Sequence, residues 1–297
     1  MRIGDYEVTL IETGDFALDG GAMFGVVPKS IWQKSNPADA NNLCTWAMRC
    51  LLVEYGDKLV LIDNGIGDKQ DEKFFGHYFL SGDDSLEKSL KAKGFGFGDI
   101  TDVFLTHLHF DHCGGSIKRN SSGNGFETVF PNATYWSNEE HWKWATQPND
   151  REKASFLKDN ILPIQESGQL KFIETPTKTL QQTGKLSTAS FTDTISVRFV
   201  HGHTDAMMLP QIHYKGKTLV YMADLLPSTA HIPLPYVMAY DMFPLTTLHE
   251  KKSFLQEAAQ HNHILFFEHD PIIECCTVQQ TDKGIRVKDT MKLNEIV

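Results

Sequence analysis

The chain has 297 residues, of which 41% are hydrophobic, and 28 Lys and Arg against 38 Asp and Glu leave a net charge of −10. A chain of this length buries roughly three quarters of its unfolded surface, so it needs no disulfide framework, and its hydrophobic fraction excludes a disordered polymer. The acidic balance argues against a non-specific nucleic-acid binder, whose affinity would rest on Lys and Arg at phosphates.

In chain order, the first unusual stretch is Gly20 to Asn42, where Met23, Phe24, Val26, Val27, Ile31 and Trp32 lie among glycines and prolines without a period. Trp46 to Tyr55 reads as a strand, Gly56-Asp57 as a turn and Lys58 to Asp63 as the returning strand, which ends in the turn Asp63-Asn64-Gly65. Asp84 or Ser85 is the expected cap of a helix running to about Lys93, with Gly94 as its stop. Val103 to Thr106 is a short buried strand, and Ala133 to Trp136 is another, after which Ser137 is expected to cap a helix opening Asn138-Glu139-Glu140. Lys171 to Glu174 and Ile195 to Val200 are further strands, followed by a hairpin of Leu209 to Tyr214 and Lys217 to Ala223 around Gly216. Leu226 to Pro244 is a second irregular apolar stretch, with Ile232, Leu234, Tyr236, Val237, Met238, Tyr240, Met242 and Phe243. Thr246 to His261 carries Leu248, Leu255 and Ala259 at helical spacing, and Ile264 to Glu268 is the last buried strand. Short strands alternating with helices point to an α/β fold.

Five cysteines, Cys44, Cys50, Cys113, Cys275 and Cys276, are odd in number and show no framework spacing, so they read as reduced thiols. No apolar run matches a secretion signal or a membrane span, so the expected location is cytoplasmic, away from membranes. The two irregular apolar stretches suit a pocket wall, or else they cover the core or form the interface of a homodimer.

The densest chemical signal is Thr106-His107-Leu108-His109-Phe110-Asp111-His112-Cys113-Gly114-Gly115. In extended backbone His107, His109 and Asp111 share a face, and a turn after Asp111 brings His112 to the same side. Imidazole and carboxylate are the usual donors to zinc and similar divalent ions, and a catalytic site takes about three protein ligands per ion. Four candidates in six positions exceed the need of one ion and suggest two. His77, His141, His213, His249, His261 and His263 are scattered and read as solvated or structural.

His107-x-His109-x-Asp111-His112 resembles the signature of the metallo-β-lactamase superfamily of dinuclear metallohydrolases. Its other elements follow in order: His203 in His201-Gly202-His203-Thr204, Asp224 after Leu219 to Ala223, and His269 after Leu265 to Glu268. Asp63-Asn64-Gly65 looks like the family's early Asp-x-Gly turn. The resemblance implies a single domain, 1–297, folded as an αββα four-layer sandwich of two mixed sheets flanked by helices. It implies that His107, His109 and His203 hold one divalent ion, and Asp111, His112 and His269 a second, with Asp224 bridging. Zinc is the expected metal, with Mn, Fe, Co or Ni as alternatives. His201 competes with His203 for its role, and Gly202-His203-Thr204 matches the family pattern; Ala206 stands where the family usually has glycine. The implied chemistry is hydrolysis by a metal-bridging hydroxide, with Asp111 carrying the proton to the leaving oxygen.

Within the superfamily, His107 to Gly115 and the Gly20-Gly21-Ala22-Met23-Phe24-Gly25 segment look like the N-acyl-homoserine lactonase and methyl-parathion-hydrolase branch. That resemblance implies a small substrate with an apolar acyl or aryl group, most simply a quorum-quenching lactonase, with phosphotriesterase side activity. Met23, Phe24, His231 and Tyr236 are the expected substrate contacts. Some homoserine lactonases carry a tyrosine three residues after the bridging aspartate. Here that position is Pro227, so His231 or Tyr236 would have to supply the oxyanion donor. Asp241 is expected to tolerate substitution better than Asp224. The alternatives are a glyoxalase II-like thioesterase and a nuclease of the same fold.

Overall fold

Leu51, Leu52 and Val53 pair antiparallel with Ile62, Leu61 and Val60, closed by Gly56-Asp57 with Gly56 at a φ of 55°. This is the hairpin that the sequence predicts, and a left-handed first turn residue matches the strands' own twist. The computed structural model describes residues 2–3, 6–178, 180, 184–214 and 216–296. They fall into two compact units, one of residues up to 16 and 47–174, the other of 17–46 and 175–296.

The first unit is built on a seven-stranded sheet ordered β1-β2-β3-β4-β5-β8-β9. Its strands are β1 (Arg2–Ile3), β2 (Tyr6–Asp19), β3 (Leu43–Tyr55), β4 (Lys58–Ile62), β5 (Asp102–Phe104), β8 (Thr134–Ser137) and β9 (Leu170–Phe172). A separate ribbon pairs β6 (Ile117–Arg119) with β7 (Phe126–Thr128). From β4 to β9 the strands are parallel, so their carboxyl ends share one edge, where open α/β sheets carry their ligands. Leu61, Val103, Leu105, Phe130, Tyr135 and Ile164 form the heart of the core beneath that edge. Fully burying an aliphatic or Phe side chain is worth about 1.5–3 kcal/mol, so this core fixes the strand ends firmly.

The second unit is built on another seven-stranded sheet, in chain order β10 (Thr188–Ser190), β11 (Ile195–Val200), β12 (Met207–Tyr214), β13 (Lys217–Tyr221), β14 (Ile264–Phe266), β15 (Cys275–Thr281) and β16 (Gly284–Met291). β12 is antiparallel to both β11 and β13, and β13 is parallel to β14. Hence β11, β13 and β14 all finish at one edge. The 18-residue helix Pro244–His261 buries Phe254, Leu255 and Ala258.

The mixed α/β class expected from the sequence is the one observed, with sheets flanked by helices. Boundaries differ for local reasons. Asn138, not Ser137, caps the helix Glu139–Thr146, because its side chain accepts from the His141 amide. Ser85, of the two alternatives, caps Leu86–Ala92. The last long helix starts at Pro244, whose ring presets φ at a position needing no donor. The Gly20 to Asn42 stretch contains two short helices, Gly20–Phe24 capped by Asp19 and Lys29–Trp32. A Cβ at Gly20 would collide with the Trp32 ring. β2 and the hairpin β15–β16 escaped the sequence reading, because neither alternates cleanly between buried and exposed residues. All five cysteines are buried and none is in a disulfide. Among the described residues no helix is long and apolar enough to cross a membrane.

Candidate metal centre

In the first unit the donors gather where β4 and β5 end. Asp63 follows β4 at a φ of 55°, a costly left-handed bend that turns its carboxylate back toward β5. Its oxygens accept from the Thr106 amide (2.8 Å) and the Thr106 hydroxyl (2.7 Å), and the second also meets His112 Nδ1 at 3.1 Å. His107, His109, Asp111 and His112 are all buried. His107 Nε2 and His109 Nδ1 face each other at 3.1 Å, while His112 Nε2 lies 3.7 Å from Asp111 Oδ2. The outer nitrogens are held by oxygens: His107 Nδ1 by the Thr106 hydroxyl (3.1 Å), His109 Nε2 by Glu152 (2.9 Å) and His112 Nδ1 by Asp63. Glu152 is itself buried and accepts from the Trp144 indole at 2.6 Å.

Backbone contacts lock this segment. The Asn64 amide donates to His112 O (2.9 Å) and the Gly115 amide to Gly65 O (3.0 Å). A Cβ at Gly114 or Gly115 would strike the carbonyl of Ile66 or Asn64, so both glycines are required by close approach. Lys69, whose ammonium is brought down to about 8 by burial, donates to Gly114 O at 2.6 Å. His141, read from the sequence as solvated or structural, is structural: its Nε2 accepts from the Leu108 amide at 2.9 Å.

In the second unit His203 follows β11, Asp224 follows β13 and His269 follows β14. His203 Nε2 lies 3.1 Å from Asp224 Oδ2 and His269 Nε2 lies 3.4 Å from Asp224 Oδ1, so one carboxylate faces both rings. His201 points elsewhere, with Nδ1 on Asp205 at 2.7 Å. Burial works against a charged His203, but Asp224 and Asp241 outweigh it and push the ring up to about 10. A cation is therefore the species this group of donors favours. Glu250 accepts from the His201 and Gly202 amides at 2.7 and 3.0 Å, and burial pushes its carboxyl up to about 8 against those two bonds. Ala206 takes a φ of 56° in the position where glycine was expected, and Ala223, just before Asp224, takes 40°.

Asp241 corrects an expectation. It is buried and holds His203 Nδ1 at 2.8 Å, so it is no tolerant control for Asp224. Its role was invisible in the sequence because it lies 38 residues from its partner in an irregular stretch. The same holds for Glu152, 43 residues from His109.

The expected substrate contacts form a packed cluster in the second unit. The Phe24 ring stacks between Trp32 (centroids 5.1 Å, 14°) and His231 (4.8 Å, 4°), with Tyr236 edge-on at 6.1 Å. Met23, Phe24 and His231 are buried, and Tyr236 is half-buried. His231 Nε2 meets Met23 O at 2.8 Å and Nδ1 meets the Ser228 hydroxyl at 2.8 Å. Both its nitrogens are thus engaged, and burial lowers the ring to about 3. His231 is a neutral bolt between the two irregular stretches. Pro227 is buried, and its carbonyl accepts the His269 amide at 3.2 Å.

These donors suit divalent metal ions: each half supplies imidazoles and carboxylates, and the outer ring nitrogens of His107, His109, His112 and His203 rest on oxygens that fix the tautomer. The model of the metallo-β-lactamase superfamily matches residues 49–269, three quarters of the chain, and the chain belongs to that superfamily of metal-dependent hydrolases. A solved structure described as a probable metal-dependent hydrolase from Staphylococcus aureus is similar over 100% of both chains, at 27% identity and a TM-score of 0.85. AidC, a dizinc quorum-quenching lactonase with product bound, is similar over 98% of this chain and 97% of its own, at 22% identity and a TM-score of 0.77. An AiiA variant from B. thuringiensis, with N-decanoyl-L-homoserine at its active site, covers 91% of this chain and 95% of its own, at 19% identity and a TM-score of 0.66. At those last two identities the likeness is one of fold. No curated protein matches the sequence.

Proposed function

We propose that the chain works as one domain in which the two donor sets jointly hold two divalent metal ions, and that it opens or cleaves a lactone or ester, N-acyl-homoserine lactone first among them. The observation carrying this reading is the donor set itself: seven His and Asp side chains after four core strands, all within a chain of the superfamily. His107, His109 and His203 would hold one ion, Asp111, His112 and His269 the other, and Asp224 would face both. When bound, such a pair lowers the pKa of water toward neutrality and polarises the attacked oxygen. Asp111 is then the group placed to take a proton and return it to the leaving oxygen.

Zinc is the metal we favour, since AidC is a dizinc lactonase and tetrahedral His and Asp donation suits it. An acyl or aryl substrate is supported by the likeness to lactonases and by the apolar content of the stretches around Phe24 and Tyr236. With His231 committed to Met23 and Ser228, Tyr236 is the side chain left to serve as oxyanion donor where Pro227 cannot. The metal-loaded protein should hydrolyse N-acyl-homoserine lactones faster than S-lactoylglutathione, as read by pH-stat titration across lactones, aryl esters, phosphotriesters and thioesters. Faster turnover of S-lactoylglutathione, with no dependence on acyl length among the lactones, would move the assignment to a thioesterase.

A further inference from the structure

Lys251 follows Glu250 in the helix Pro244–His261 and is only 1% exposed. Its ammonium donates to three backbone carbonyls, those of Tyr236 (2.6 Å), Pro233 (3.3 Å) and Leu234 (3.5 Å). An ammonium has three N–H donors and no acceptor, so this cage uses all of them. The segment needs such a partner because Pro233 and Pro235 have no N–H, and a backbone so interrupted cannot join a sheet ladder. Burial brings the lysine down to about 7, with Asp241 opposing. A buried cation is costly unless fully paired, and here the pairing is with the stretch that carries Tyr236. A few residues on, that stretch meets the ligand loop, as the Met242 and Phe243 amides donate to the carbonyls of His203 (3.0 Å) and Gly202 (2.8 Å). Adjacent residues of one helix therefore hold two loops, Glu250 that of His203 and Lys251 that of Tyr236.

We propose that Lys251 is a specificity-determining positioning residue: its carbonyl cage fixes the course of residues 233–236, and with it the apolar wall that sorts substrates by their acyl or aryl group. The substrate half of this statement rests on the hydrolase reading above; the positioning half does not.

The test uses the full metal-loaded chain with Lys251→Met and Lys251→Ala. Backbone hydrogen exchange in residues 232–240 should rise about tenfold in Lys251→Met, the scale of one lost hydrogen bond, while exchange in 107–116 and the metal content stay as in the wild type. In Lys251→Ala, n-propylammonium should restore protection and n-propanol of the same length should not. With N-acyl-homoserine lactones from four to ten acyl carbons, KM for the long chains should rise about tenfold and that for the shortest much less, with the loss of kcat from a shifted Tyr236 shared by the whole series. Unchanged exchange in 232–240, an increase spread evenly over the chain, or equal rescue by the alcohol would each overturn the proposal, whatever the enzyme hydrolyses. Loosened exchange in a protein whose wild type opens no lactone would leave Lys251 as the anchor and overturn the substrate reading. Should Lys251→Met fail to fold, the ammonium rescue of Lys251→Ala decides alone.

Discussion

The two donor sets differ in how they are built. In the first unit four donors fall within His107 to His112, and Asp63, Thr106 and Glu152 fasten them from β4, β5 and a following turn. In the second unit three donors are spread over 67 positions, and only the parallel ends of β11, β13 and β14 bring them to one edge. A dense motif carries its geometry in its spacing. A dispersed one borrows its geometry from the sheet, so the strand ends and their loops must be rigid.

The sharpest way to break this comparison is to remove the carboxylate that faces two rings. Asp224→Ala should reduce the metal content from two ions toward one and abolish most turnover, while the first unit's donors stay in place. Asp111→Asn should cost about 10²–10⁴-fold in turnover, the usual worth of a positioned proton carrier, even when excess metal keeps both ions in place. Elemental analysis beside steady-state kinetics separates the two outcomes.

The outer partners come next. Asp63→Asn and Asp241→Asn each remove an acceptor behind a histidine, one in each unit, and each should weaken metal binding by about 10–100-fold. If the dispersed set depends more on its loops, Asp241→Asn will cost more than Asp63→Asn in competition with a chromophoric chelator. Equal losses would show that the two sets are equally supported.

His231 gives a pH signature confined to the second unit. Its ring is held down to about 3 from an ordinary 6.5 by burial. Between those values the unfolded chain binds a proton that the folded chain refuses, so stability is lost as pH falls from 6.5 toward 3. His231→Phe keeps a ring against Phe24 and removes that titration. Its melting temperature should fall less steeply between pH 6.5 and 4 than that of the wild type. The smallest effect is expected from Ala206→Gly, which relieves a φ of 56° and should stabilise the protein by about 0.5–1 kcal/mol, read as a small rise in melting temperature. No rise would mean that the turn after His203 stores no strain.

Much of this was legible in the residues. The hairpin of β3 and β4, the strand leading into His107, the strands before Asp224 and His269, and the ligand candidates follow from patterning and spacing, with the later three ordered by the family resemblance. What was hidden is long-range. Asp241 and Glu152 reach their histidines across 38 and 43 residues, and no local period marks them. Lys251 looks like any helix lysine until the proline-broken segment it serves is folded over it. Met23, Phe24 and His231 looked like pocket lining because aromatic residues in irregular stretches often are. The Phe24 and His231 rings stack on each other and the Met23 carbonyl meets His231 Nε2, a packing that sequence alone does not distinguish from a binding surface.

The central claim is that both donor sets are needed for two ions, and metal stoichiometry tests it most directly. Protein prepared without chelator and loaded with zinc should hold two ions per chain by elemental analysis. His109→Ala from the dense set and His269→Ala from the dispersed set should each bring that number toward one, and the double variant toward none. A wild type that binds one ion or none, or a His269→Ala variant that keeps two, would contradict the account.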